Sequence, residues 1–298
     1  MRIGTRRSAL ALAQAEQVSA MLGGAEIVPI LTGGDRGIAI GDKSRWVSEL
    51  EQALLDGEID LAVHSAKDLP GEPAEGLALL GAPARAAAED VLCGASGIEQ
   101  LPAGARVGTS SLRRLAQLSA ARDDIVVVPL RGNVDTRLGK LARGEDGIGA
   151  IVLARAGLQR LGRDSESGAV LDAERFVPAP GQGVLALEGR EGDEAVLAAV
   201  QEITDPSAFA SLLAERALAR ELHADCDTPL GAHAVPAGEE LKLRAWIGLP
   251  DGSEWIGDEI EGAISDPEEL GRALAERLRM VGAEDMLSRA REAAGGGG

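Results

Sequence analysis

One rhythm occurs twice in this chain and limits what it can fold into. A short apolar run ends on small polar residues, and a segment with apolar residues three and four apart follows. In residues 1–70 the apolar runs are 2–5, 25–31 and 59–64. Ser8 is placed to cap a helix to about Leu22, and Trp46, Leu50 and Leu54 recur at spacing four. In residues 106–160 the runs are 106–108, 125–129 and 148–153. Ser110 or Ser111 is placed to cap a helix to about Ala121, and 135–143 carries a second helical pattern. Strands alternating with helices build a mostly parallel sheet covered on both faces. The expected class is therefore α/β, with two lobes of similar architecture whose facing loops form a cleft.

The last third reads differently. A helical stretch over 207–222 leads to strand-like runs at 241–249 and 254–261, set around the turn signal Pro250-Asp251-Gly252-Ser253. A long amphipathic helix starts at Pro267 and is interrupted near Gly282. This predicts a third domain, a small sheet with helices on one face. The expected boundaries are 1–86 with 184–204, 87–183 and 205–294, then a disordered tail at 295–298. The chain is expected to cross between the lobes near 83–90 and 178–186.

The chain has a formal net charge of −18, yet residues 106–163 carry eleven Lys or Arg against five Asp or Glu. Arginine presents a planar fork of donors that matches carboxylate or phosphate. The ordinary reading of such a run is a solvated helix face. Here the arginines adjoin Thr109, Ser110, Ser111, Gly132 and Asn133, turn and cap residues that leave N–H groups open to an anion. Three Trp, two Phe and no Tyr make a poor platform for stacking bases. The acidic total also opposes duplex binding. A small anionic ligand is expected rather than a nucleic acid.

No metal is expected. The cysteines, Cys93 and Cys226, lie far apart, and His223 with Cys226 supplies only two ligands. The N-terminus lacks the apolar core of a signal peptide and no apolar run reaches the roughly 18 residues of a membrane span. A cytoplasmic, membrane-free protein with reduced thiols is the expectation.

Five segments in order carry a resemblance: Thr5-Arg6-Arg7-Ser8, His64-Ser65-Ala66-Lys67-Asp68, Gly108-Thr109-Ser110-Ser111-Leu112-Arg113-Arg114, Leu130-Arg131-Gly132-Asn133-Val134-Asp135-Thr136-Arg137, and Cys226 ahead of Pro229-Leu230-Gly231. Residues 156–162, with Arg160, and Pro180-Gly181-Gln182-Gly183 extend it. Over nearly its whole length the chain resembles the porphobilinogen deaminases, also called hydroxymethylbilane synthases. The resemblance implies two lobes like those of type-II periplasmic binding proteins, with the reaction between them, and typically a monomer. It implies a transferase of tetrapyrrole biosynthesis that links four porphobilinogen molecules head to tail, releasing ammonia at each step. The chain grows on a dipyrromethane cofactor held by a thioether, which position by position falls on Cys226.

The residue types agree with that chemistry. Each porphobilinogen brings two carboxylates, and Arg6, Arg113, Arg114, Arg131, Arg137 and Arg160 are candidates to hold them, with Ser8, Ser65, Lys67, Thr109, Ser110, Ser111, Gly132, Asn133, Gln182 and Gly183 around them. Asp68 is the candidate catalytic residue, because a carboxylate can pass protons and stabilise the cation left when ammonia departs. An isolated Asp-Leu-Pro would more often be a turn; the surrounding motifs reverse that weighting. Three features depart from the family pattern: Gly33 where an Arg is usual, a shorter loop over 36–45, and His223-Ala224-Asp225 where glycines usually precede the cysteine. The rival reading is a two-lobed solute-binding module without catalysis, which gives Cys226 and the third domain no role.

Overall fold

The computed structural model describes residues 1–32, 44–225 and 228–295. Cys226, Gly33, residues 36–43 of the short loop and the tail from 296 lie outside the described residues. Gly295, expected in the tail, ends the last helix.

The first lobe starts with β1 (Arg2–Arg6), α1 (Ala9–Met21), β2 (Glu26–Ile30), α2 (Ser44–Leu55), β3 (Leu61–Ser65) and β4 (Leu77–Gly81). The second holds β5 (Asp90–Cys93), β6 (Arg106–Gly108), α3 (Leu112–Ala121), β7 (Val126–Val128), α4 (Val134–Ala142), β8 (Ile148–Ala154), α5 (Arg155–Arg160) and β9 (Ala169–Val170). The chain then returns to the first lobe as β10 (Leu185–Arg190) and α6 (Glu194–Ile203). Among the described residues the strand orders are β2-β1-β3-β10-β4 and β7-β6-β8-β5-β9. These are one topology built twice. In each lobe three parallel strands adjoin an antiparallel fourth, and that fourth strand, β10 or β5, directly follows a crossover.

Strand alternation sends β3 residues Leu61 and Val63 to a core with α1 and α6, and Ala62 to a core with α2. In β8, Ile151 and Leu153 face α4, while Ala150 and Val152 face α3. The two crossovers run against each other, with Ala86 N–H donating to the Gly183 carbonyl at 3.1 Å. Gly183 has φ +86, and a Cβ there would stand 2.6 Å from the Ala86 carbonyl oxygen. Only glycine permits both that conformation and that approach.

The third unit comprises α7 (Pro206–Glu221), β11 (Leu230–Ala237), β12 (Glu240–Gly248), β13 (Trp255–Ala263), α8 (Pro267–Met280) and α9 (Ala283–Gly295). Its antiparallel sheet packs the alternate residues Leu241, Leu243, Ala245 and Ile247 against all three helices in one core. The other face meets the second lobe, where Trp246 packs with Ala116 and Val177. Among the described residues no helix is long and apolar enough to cross a membrane.

Candidate active site

The cleft residues sit where strands of the two lobes end and helices begin. Ser8 caps α1, its hydroxyl accepting from Ala11 N–H at 3.3 Å. Ser111, rather than Ser110, caps α3, and Asn133 caps α4 with its side-chain oxygen accepting from Thr136 N–H at 2.8 Å. Ser110 instead accepts from Leu130 N–H at 3.0 Å, joining the two arginine-bearing turns. After β3 the chain makes one 3-10 turn, Ala66–Asp68, which places Lys67 and Asp68 in the cleft.

Two cavities meet there. One, of about 610 Å³, is lined by Arg6, Ser8, Gln14, Ser65, Gly132, Asn133, Arg137, Arg160 and Gly183. The other, of about 580 Å³, is lined by Ser110, Ser111, Arg113, Gln182, Arg216, Asp225 and Thr228. Lys67, Asp68, Arg114 and Arg137 belong to both walls. The structure thus gathers most of the expected site residues around Asp68. Arg131, exposed, and Thr109, buried with its hydroxyl accepting from Ser111 N–H, are not among the wall residues of either cavity.

The arginines divide into two kinds. Arg113 and Arg114 are buried and committed to Asp90, which is fully buried at the start of β5. Arg113 Nη2 reaches one Asp90 oxygen at 2.7 Å, and Arg114 Nη2 and Nε reach the other at 2.7 and 3.1 Å. Gln182 Nε2 donates to the same carboxylate at 3.0 Å. Burial would raise the Asp90 carboxyl, but the two guanidinium groups and their hydrogen bonds outweigh it and hold it well below the usual carboxylate range. Asp90 is the buried partner of two expected site arginines and was missed by sequence reasoning; its sign was an aspartate opening an otherwise apolar strand.

Arg137 and Arg160 are less matched by acids. Arg137 Nε donates to the Gly132 carbonyl at 2.7 Å and Arg160 Nη2 to the Gly183 carbonyl at 2.7 Å. Burial pushes the Arg160 guanidinium down to about 10. Among the described residues the Nε atoms of Arg113 and Arg160 are buried without a hydrogen-bond partner. Buried donors left open in this way fit a ligand that brings its own acceptors. Lys67 Nζ lies 3.4 Å from Gln182 Oε1; burial first, then Arg114, pushes its ammonium down to about 8, against the pull of Asp68 and Asp90. The site can therefore hold several carboxylates beside a carboxylate of its own.

The family models and the curated relatives that this chain resembles name one family. The family model described as porphobilinogen deaminase, dipyromethane cofactor binding domain, matches residues 1–198, and the porphobilinogen deaminase C-terminal domain matches 209–280. The porphobilinogen deaminase of Thermus thermophilus is 45% identical over 97% of this chain and 98% of its own length. That of Roseiflexus castenholzii is 44% identical over 96% and 98%. Among solved structures, a YaeC-family lipoprotein from Enterococcus faecalis V583 aligns over 69% of this chain and 91% of its own, with 16% identity and a TM-score of 0.40.

Proposed function

The chain belongs to the porphobilinogen deaminase family, and from that premise we propose how its own residues divide the work of making hydroxymethylbilane. As a transferase of this family it condenses four porphobilinogen molecules head to tail on a dipyrromethane cofactor, with loss of ammonia at each step and hydrolytic release of the product. When bound, the cofactor supplies the pyrrole carbon to which the first substrate is joined.

Asp68 handles the protons. Loss of ammonia from porphobilinogen leaves a cationic azafulvene, and a carboxylate beside it stabilises that charge and accepts the proton released as the new carbon–carbon bond forms. The observation that carries this reading is the placement of Asp68 where two arginine-lined cavities join. Arg113, Arg114, Arg137 and Arg160, with Lys67, hold the carboxylates of cofactor and substrate, and the open Nε donors of Arg113 and Arg160 support a carboxylate-bearing guest. Arg6, Arg131, the cap residues Ser8, Ser65, Ser110, Ser111 and Asn133, and Thr109, Gly132, Gln182 and Gly183 shape the rest. The thioether falls on Cys226; its neighbours Asp225 and Thr228 line the second cavity, which supports access. The catalytic domain is 1–86 with 184–204, the carboxylate-binding domain 87–183 and the cofactor-bearing domain 205–294. We also infer a monomer acting in the cytoplasm without nucleic acid; light scattering that gives twice the chain mass would overturn the monomer.

The mass of the denatured protein, with peptide mapping over 226, tests the assignment. Two linked pyrroles on Cys226 are expected. An unmodified mass that incubation with porphobilinogen does not change would overturn it. Asp68→Asn should leave folding intact and lower turnover by at least about 100-fold; near-normal turnover would remove Asp68 from this role.

A further inference from the structure

The turn that carries Asp68 has little secondary structure of its own. One main-chain bond closes it, from Leu69 N–H to the Ala66 carbonyl at 3.2 Å, and Ser65 gives it no side-chain cap. On its N-terminal side Ala66 N–H donates to the Val184 carbonyl at 3.0 Å. On its C-terminal side come Pro70 and Gly71, whose carbonyls, among the described residues, accept from no main-chain N–H. Both accept instead from Nη2 of Arg216, each at 2.8 Å. Arg216 is half-buried on α7, in the third unit. Leu69 packs in a cluster with Phe209 and Leu212 of the same helix. Phe209, Leu212 and Arg216 fall on one helical face, so that face grips the turn by apolar contact and by guanidinium together. Arg216 also lines the second cavity beside Asp68, Asp225 and Thr228.

We infer that Arg216 is a positioning residue for Asp68: by holding the Pro70 and Gly71 carbonyls it fixes the turn that presents the carboxylate, and it makes that placement depend on the third unit being docked. The inference rests on the reading of Asp68 as the proton-handling group. The competing role is direct capture of a substrate carboxylate. The two separate kinetically. A residue that binds substrate in ground and transition state alike moves KM, whereas one that places the reacting carboxylate moves kcat.

The test uses the cofactor-loaded enzyme with Arg216→Met, which keeps the apolar stem, and Arg216→Lys, which keeps a cation without the fork. Arg216→Met is expected to lower kcat about 10- to 100-fold, with KM within about two-fold of wild type. Amide hydrogen exchange over 66–72 should quicken about ten-fold, as local opening becomes easier by about 1.4 kcal/mol. Arg216→Lys should fall between wild type and Arg216→Met in both measurements, and it carries the test alone if the methionine variant does not fold. A raised KM with unchanged kcat would assign Arg216 to substrate binding and overturn the inference. Reduced kcat with wild-type exchange over 66–72 would overturn it too. Arg220→Met, which among the described residues removes the neighbouring surface ion pairs to Glu72 at 3.3 Å and Glu268 at 3.5 Å, should stay within about two-fold of wild type. Failure of the underlying reading shows separately, as normal turnover in Asp68→Asn, and leaves the exchange result standing.

Discussion

Lys67 stands where the two cavities meet, and its surroundings decide its charge. With its ammonium pushed down to about 8 by burial and by Arg114, it loses its proton in the ligand-free enzyme within reach of ordinary assay conditions. Between about pH 8 and its ordinary value of 10.5 the unfolded chain still binds that proton and the folded chain does not. In that window the group therefore favours folding more as pH rises. Its capacity to attract a carboxylate moves the opposite way. We expect kcat/KM for porphobilinogen to fall on an alkaline limb near pH 8, and Lys67→Arg, charged throughout, to remove that limb. A limb that persists in the arginine variant belongs to another group. Asp90 shows a stability dependence of the same sign in an acid window. Its carboxyl is held low by Arg113 and Arg114, so its contribution to stability is present above about pH 4 and is lost as pH falls toward its depressed folded value. None of this pairing is visible as pattern, because Asp90 meets the two arginines at separations of 23 and 24 residues. The arginines announced a basic pocket; their internal counter-ion shows only once β5 and α3 are packed together.

At the scale of elements, most helices and strands follow from caps and periodicity, as Ser8, Ser111 and Asn133 illustrate. Several elements did not stand out, β4, β11 and α6 among them. β4 is a short apolar run behind a stretch rich in Pro and Gly, β11 alternates small residues and carries Pro236 on an edge strand, and α6 follows a loop of charge and glycine. Alanine-rich strands have weak intrinsic preference, and packing against neighbours supplies what the residues lack. The end of α7 makes a sharper point. His223 N–H donates to the Arg220 carbonyl at 3.0 Å and Ala224 N–H to the Ala219 carbonyl at 2.9 Å. That is the paired closure in which the residue after the cap takes left-handed backbone, and His223 does so with φ 48. A glycine would adopt it without the steric cost, and the porphobilinogen deaminase resemblance puts glycines just ahead of the cysteine. His223→Gly should stabilise the protein by about 1 kcal/mol in urea unfolding. A loss of stability would mean that the imidazole makes contacts worth more than the strain.

At the scale of the molecule, a cleft that must accept a lengthening polyanion lies between two lobes in a chain of net charge −18. The lobes need a joint that holds them while the cleft works. Glu215 of α7 is that joint, fully buried and bonded on several sides. It takes Arg85 from the first crossover at 2.6 Å, Gly181 N–H from the second at 2.6 Å, and Ala234 N–H from β11 of its own unit at 2.7 Å. Arg85 in turn donates to the Gln182 carbonyl at 2.9 Å, so both crossovers and the third unit converge on one ion pair. Removing one partner of a buried pair leaves the other charge uncompensated and costs about 3–5 kcal/mol. Arg85→Met keeps the aliphatic volume and spares the Glu215–Ala234 bond, so the loss falls on the joint rather than on the third unit's own core, which joins α7, α8 and α9 to the sheet. Calorimetry should therefore show a single transition for the wild-type chain and, for Arg85→Met, the third unit melting apart from the two lobes. A uniform drop in Tm with one transition retained would place the coupling instead in the apolar contacts of Leu69 with Phe209 and Leu212. In that case the grip on the Asp68 turn and the joint between the units would be the same contact.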